Sequence, residues 1–409
     1  MKAQTRQHRF KPTTLTPAVA YRKDVEKRKG PVGKDDGSWI VVSTIVGHIA
    51  YAVGKDRRRF LDDAAKMAAE LFDPAALAYG CAFDPPKVDR TSSIAVLRLL
   101  AEKMEYAGTL NLATSLLEGL AGVLPVDSVN AGRVLAQRAR LSWKAGKTDL
   151  ALARYRHLRR KARKLGSGEL ALRSFAGFAV LAQMRGNFPA VRRWSDLLVS
   201  GAERGEYKRL ASLGHHGLML VNARAGKIKD AITHGWSAFC GREGHQEGQV
   251  EVLSNIGQLF LEAGRPEIAR SAFVRVLVAR PSIRVCVPAL GGYALASAAL
   301  SDSRAVHWAA AEASAISDRP GFGYETASTL LDCASALEAI GETPYASVLR
   351  ARGSTIAQYA GYHELVHRAE TASSLVPSRG LTELPISVEQ GIAQLPAMAL
   401  PEHLELVMA

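Results

Sequence analysis

Residues 254–281 read SNIGQLFLEAGRPEIARSAFVRVLVARP, two short amphipathic helices joined by a tight turn. Leu253, Ile256, Gly257 and Phe260 fall at helical spacing on one face of the first. Gly264 supplies the positive φ that closes that helix, and Pro266 stands where the first turn of a new helix tolerates it. Ile268, Ala269, Ala272, Phe273, Val276 and Leu277 form the second apolar stripe, which Pro281 ends. Neither helix hides its stripe alone, so the pair requires neighbours. The sequence therefore points to a stack of such pairs rather than to one catalytic pocket.

The same turn recurs along the chain. Gly108, Gly146, Gly186, Gly226, Gly264 and Gly341 each follow an amphipathic run, at intervals of 38, 40, 40, 38 and 77 residues. The last interval is two periods, with a degenerate turn near Asp302 between them. A fixed period near 39 with one turn per repeat is the pattern of a helical solenoid. It places helix pairs at about 91–123, 128–166, 168–205, 206–244, 246–283, 285–317 and 321–361.

Four marks recur in part: a small residue seven before the turn glycine, Ala five after it, an aromatic nine after it, and Pro at the end of the second helix. The central pair shows all four, at Gly257, Ala269, Phe273 and Pro281. Elsewhere the match is partial: Ala139, Ala151 and Tyr155, then Ala179, Ala231 and Ala346. The chain thereby resembles the tetratricopeptide repeat family in an expanded form of 38–40 residues per repeat. The resemblance implies an all-α, right-handed α-solenoid of antiparallel helix pairs, and it carries no reaction with it.

Composition fits that reading. The chain has 409 residues, 47% hydrophobic, and is rich in the helix formers Ala, Leu and Arg. No run reaches the ~18 uninterrupted apolar residues of a membrane span; Trp39–Val53 comes nearest but is short and contains His48. Cys81, Cys240, Cys286 and Cys333 are isolated, which disfavours disulfides and a cysteine zinc site. The N-terminus MKAQTRQHRFKP lacks the apolar segment of a signal peptide, so a cytoplasmic protein is expected. Residues 1–36 read as a flexible basic arm, with ten Lys or Arg against four acids. Residues 37–90 read as a helical segment, a diverged repeat turning at Gly54, without a convincing DNA-binding helix-turn-helix. Residues 91–361 hold the repeats, 362–376 a capping helix, and 377–409 a tail interrupted by Pro385, Pro396 and Pro401, either disordered or folded back on the basic solenoid.

The net charge of +14 points to an acidic partner or to nucleic acid. Arg154–Lys164 carries seven basic side chains, yet Ala151, Tyr155, Leu158, Ala162 and Leu165 keep an apolar stripe. The basic side chains therefore occupy the outer face, either merely solvated or used for a polyanion.

One short motif bears on catalysis. His363-Glu364-Leu365-Val366-His367 is HExxH and resembles the zinc metalloprotease motif, which would make His363 and His367 ligands and Glu364 the base. A third ligand would have to come from Glu370, Glu383 or Glu389. Against an enzyme stand the charged Arg368, the lack of framing strands, and a helix that buries Tyr362, Leu365, Val366, Ala369 and Val376 instead of the histidines. His215 and His216 are adjacent, about 100° apart on a helix, and do not bind one metal together.

The expected function is a non-enzymatic, cofactor-free scaffold or sensor that binds a protein or peptide segment. By the resemblance, first helices line the groove. Setting the turn glycines in register places Arg133, Arg140, Lys144, Arg173, His216 and Arg224 there, followed by Glu251, Asn255, Gln258, Glu262, Asp332 and Glu338. Such a groove is basic early and more acidic late, and its ligand carries acids. The alternatives are a nucleic-acid-associated regulator acting through the arm and the basic helix, and the zinc protease.

Overall fold

The structure, a computed structural model, describes residues 90–106, 110–279, 281–317, 323–371 and 386–395. The expectations for the arm at 1–36 and the segment at 37–90 lie outside them, apart from Arg90, as do Cys81 and the turn at Gly108. The described residues form sixteen helices and no strand. None of these helices is long and apolar enough to cross a membrane.

The chain divides into two compact units, the first ending at Gly177 and the second beginning at Phe178. The first holds α1 (Arg90–Tyr106), α2 (Leu110–Val123), α3 (Val129–Lys144), α4 (Thr148–Lys164) and the opening turns of α5 (Gly168–Met184). The second takes up the rest of α5, then α6 (Phe188–Arg204), α7 (Lys208–Arg224), α8 (Ile228–Cys240) and α9 (Gln246–Glu262). It continues with α10 (Pro266–Val278), α11 (Ile283–Ala299), α12 (Ser303–Ile316), α13 (Gly323–Ala339), α14 (Thr343–Ala360) and α15 (His363–Glu370). The last described helix is α16 (Ile386–Gln394). Within each unit successive helices pack in pairs, as an α-solenoid requires.

The turns set the register. Gly146, Gly186, Gly226, Gly264 and Gly341 have φ of 76°, 67°, 69°, 73° and 87°, a region that L side chains rarely enter. The following amide reaches back five residues in each case: Lys147 to the Ser142 carbonyl (2.8 Å), Arg265 to Phe260 (2.8 Å), Glu342 to Leu337 (2.9 Å). The degenerate turn obeys the same geometry without glycine. Ser301 takes φ 60°, Asp302 bonds back to Ser297 (2.9 Å), and the Asp302 carboxylate accepts from the Ala305 amide to cap α12.

Aromatic side chains nine residues past the turn glycine fill the gaps between pairs. Phe273 is 1% exposed, lodged between Gly257 on α9 and Gly292 on α11. A Cβ at Gly257 would stand 2.9 Å from the ring, and at Gly292 2.2 Å. Tyr155 does the same in the first unit, against Gly177 at 2.3 Å. Burial of one such ring contributes roughly 1.5–3 kcal/mol. The tail is not wholly separate from this core: α16 folds back onto α8 and α10.

Candidate functional site

The first helices of three successive pairs, α1, α3 and the opening of α5, carry a continuous ladder of charge in the first unit. Its lower part centres on Glu105, whose side chain is 3% exposed. The Arg140 Nε donates to its Oε2 at 2.9 Å, and the Lys144 ammonium lies 2.6 Å from its Oε1. Glu102 approaches Arg140 at 3.7 Å. Burial alone would lower the Arg140 pKa, but Glu105 and Glu102 outweigh it and raise it. Lys144 also stacks over the Tyr106 and Trp143 rings, 5.6 and 5.8 Å from their centroids.

The upper part centres on Glu169. Arg133 donates to both its oxygens, with Nη2 2.6 Å from Oε2, and Arg173 donates from Nε at 2.9 Å. Burial pushes the Glu169 carboxyl up, but the hydrogen bonds from Arg133 and Arg173 prevail and hold it below the ordinary carboxylate range. Arg98 joins them from α1, its Nε donating to the Gln137 side-chain Oε1 at 2.9 Å. Burial, then the fields of Arg173 and Arg133, lower the Arg98 pKa to about 10.

The two parts differ in balance. Arg140 and Lys144 face Glu105 and Glu102, two cations against two anions. Arg133 and Arg173 bond Glu169 directly, and Arg98 lies within their fields and those of Glu169 and Glu102. Arg133 and Arg173 keep 36% and 31% of their side chains exposed, so both guanidiniums reach solvent.

In the second unit the register positions diverge. His215 meets His234 across α7 and α8, Nδ1 to Nδ1 at 3.1 Å, while His216 turns the other way. Arg242, 6% exposed in the α8–α9 connection, donates to the Ser212 hydroxyl (3.0 Å), the Gly248 carbonyl (2.8 Å), Glu251 (3.2 Å) and His216 Nδ1 (3.0 Å). A guanidinium only donates, so His216 accepts at Nδ1 and carries its proton on Nε2. The Asn255 amide lies 3.1 Å from Nε2, and its oxygen is the end that suits that proton. Burial, with Arg242 second, lowers the His216 pKa to about 4. This cluster ties α7, α8 and α9 together. Arg224 lies over the Phe188 ring at 5.5 Å. Gln258 buries an Oε1 that has no hydrogen-bond partner among the described residues, and burial pushes the Glu262 carboxyl up. Asp332 and Glu338 are held by Arg368 and Arg350.

The HExxH segment forms α15, which buries Leu365 and Ala369 and leaves His363 and His367 exposed. Glu364 accepts a hydrogen bond from the Tyr324 hydroxyl, and Arg368 donates to Asp332. Among the described residues no three His, Cys, Asp or Glu side chains are grouped to hold a metal ion. Of the basic residues on α4, Arg154 donates to the Arg138 carbonyl (3.1 Å), Lys161 to that of Val126, and Lys164 pairs with Asp127 (2.8 Å). Arg159 covers the Phe175 ring. Arg156, Arg160 and Arg163 are left exposed at i, i+4 and i+7.

Register reasoning missed Arg98, Glu102 and Arg242. Glu102 stands six residues before Gly108, as Arg140 does before Gly146, so the same rule applied one repeat earlier finds it. Arg242 sits in a connection that the register does not cover.

No protein-family model matches the chain, and no curated protein is a match. Among solved structures it is similar to BtubC (BKLC) from P. vanneervenii, with 14% identity over 66% of this chain and 90% of that one and a TM-score of 0.35. That likeness is too loose to carry a family or a function.

Proposed function

We propose that the chain is a non-enzymatic, tetratricopeptide-like scaffold that binds an acidic peptide segment along α1, α3 and α5. The observation that supports it is Glu169, bonded by the partly exposed guanidiniums of Arg133 and Arg173, whose fields also reach Arg98 and lower its pKa. Like charges held together repel, and a ligand carboxylate relieves that repulsion. The partly exposed Arg133 and Arg173 present donors suited to bidentate carboxylate recognition. The three described cysteines are free thiols, in keeping with a cytoplasmic setting.

A second reading rests on α4. Its exposed Arg156, Arg160 and Arg163 form a stripe that fits a nucleic-acid backbone. One titration separates the two. A fluorescent Glu/Asp-rich peptide of about ten residues is followed by anisotropy. The paired change Arg133→Gln with Arg173→Gln is expected to weaken binding about tenfold, roughly 1.4 kcal/mol. The paired change Arg156→Gln with Arg160→Gln should leave it within twofold. Equal losses in both would remove the α1–α3–α5 surface, and nucleic-acid binding abolished only by the α4 pair would promote the second reading.

A further inference from the structure

Helix α16 is separated by more than a hundred residues from the helices it covers. It lies against α8 and α10, the second helices of two successive pairs. Four positions make the contact, at the i, i+3, i+4, i+7 spacing of a helix laid in a groove. Val388 and Ile392 are 2% and 1% exposed within the core of the second unit, and Leu395 packs beside them. Gly391 is the fourth: a Cβ there would stand 2.3 Å from the Trp236 ring, so only glycine lets the helix settle. Trp236 in turn stacks on Phe239, centroids 5.1 Å apart. Arg275 of α10 closes the C-terminal end, donating from Nη1 to the Leu395 carbonyl (2.7 Å) and from Nη2 to the Ala393 carbonyl (3.2 Å). Those are carbonyls that a helix end leaves without intrahelical partners.

A nine-residue helix is too short to hold its shape alone, so α16 is helical because the groove makes it so. The helices that wall the groove also have other neighbours. Helix α8 is flanked by α7 and α9, and α10 by α9 and α11, each through their own contacts. We propose that the α8–α10 groove is a docking site for short amphipathic helices, closed in this state by α16 as a tethered internal ligand. Its incoming ligand is a partner helix with aliphatic residues at i, i+4 and i+7, glycine at i+3 facing Trp236, and C-terminal carbonyls offered to Arg275. Entry requires release of α16, which makes the tail an autoinhibitory clasp. This site is separate from the acidic-segment surface and stands or falls without it.

The probe is a fluorescein-labelled peptide of residues 384–397, titrated into the full chain. Val388→Asp with Ile392→Asp releases α16 while leaving the groove intact. That variant is expected to bind the peptide at least tenfold more tightly than the wild-type chain, with a change in tryptophan emission. The same peptide carrying Gly391→Leu should fail to bind, and Arg275→Ala in the released variant should weaken the wild-type peptide severalfold. Gly391→Leu in the chain provides a second release variant should the first not fold. Equal binding, or none, by wild-type and released chains overturns the proposal. So does unfolding of both release variants, which would make α16 integral core. A wild-type dimer that exchanges residues 386–395 would assign the groove to a second copy instead of a partner.

Discussion

Glu105 changes the meaning of the basic residues on α3. Arg140 and Lys144 share one face, as their spacing of four implies, but their charge is answered by a carboxylate that is itself 3% exposed. Removal of that carboxylate or reversal of Arg140 disturbs a buried network before it disturbs a ligand, so Arg133 and Arg173 are the informative positions. His216 illustrates a different residue-scale effect. Its imidazole is held neutral by burial and then by Arg242, with Glu251 opposing, so its pKa falls from 6.5 to about 4. The unfolded chain binds a proton between those values that the folded chain refuses. The contribution to stability is therefore complete above pH 6.5 and lost as pH falls toward 4, on the order of 3–4 kcal/mol at ~1.4 kcal/mol per unit. His215 and His234 are lowered too, chiefly by burial, and act in the same direction. Thermal melts from pH 7 to 5 should show falling stability. In His216→Gln, which still offers Arg242 an acceptor, the slope should be shallower; an unchanged slope would mean that His216 is not the group involved.

At the scale of the helix pair, the turn glycine and the small–aromatic contact explain why so much of the fold was readable from residues. Gly264 and Phe273 act through backbone conformation and volume, which residue type alone specifies. The same holds at Gly146 and Tyr155. Even the turn without glycine was readable at Asp302, because a capping carboxylate does its work within three residues. Gly257→Leu would push against a ring already pinned from the far side by Gly292, with little room to retreat. It should cost roughly 1–3 kcal/mol by overpacking. A denaturant midpoint equal to wild type would show that α9 and α10 do not meet at this residue. Less was readable where partners come from far away. The folding back of α16 depends on Trp236 and Arg275, more than a hundred residues distant, and no local period records that pairing.

At the scale of the whole molecule, a charge of +14 says that an anion is attracted but not where it settles. The candidate site was partly readable: Arg133, Arg140, Lys144 and Arg173 were found by register and do lie on successive first helices. Their compensation by Glu105 and Glu102 was not, because it depends on which carboxylates of a neighbouring repeat fall within reach. On α4 the reverse occurred. Seven basic side chains looked like one surface, yet three are tied to neighbouring carbonyls or acids and a fourth covers a ring, leaving Arg156, Arg160 and Arg163. The most direct measurement is a cross-linking map of the intact chain with an acidic peptide that carries a photoreactive group beside its central glutamate. Cross-links on α1, α3 and the start of α5, suppressed by Arg133→Gln with Arg173→Gln, are the predicted result; cross-links concentrated on α4 and insensitive to that pair would contradict it.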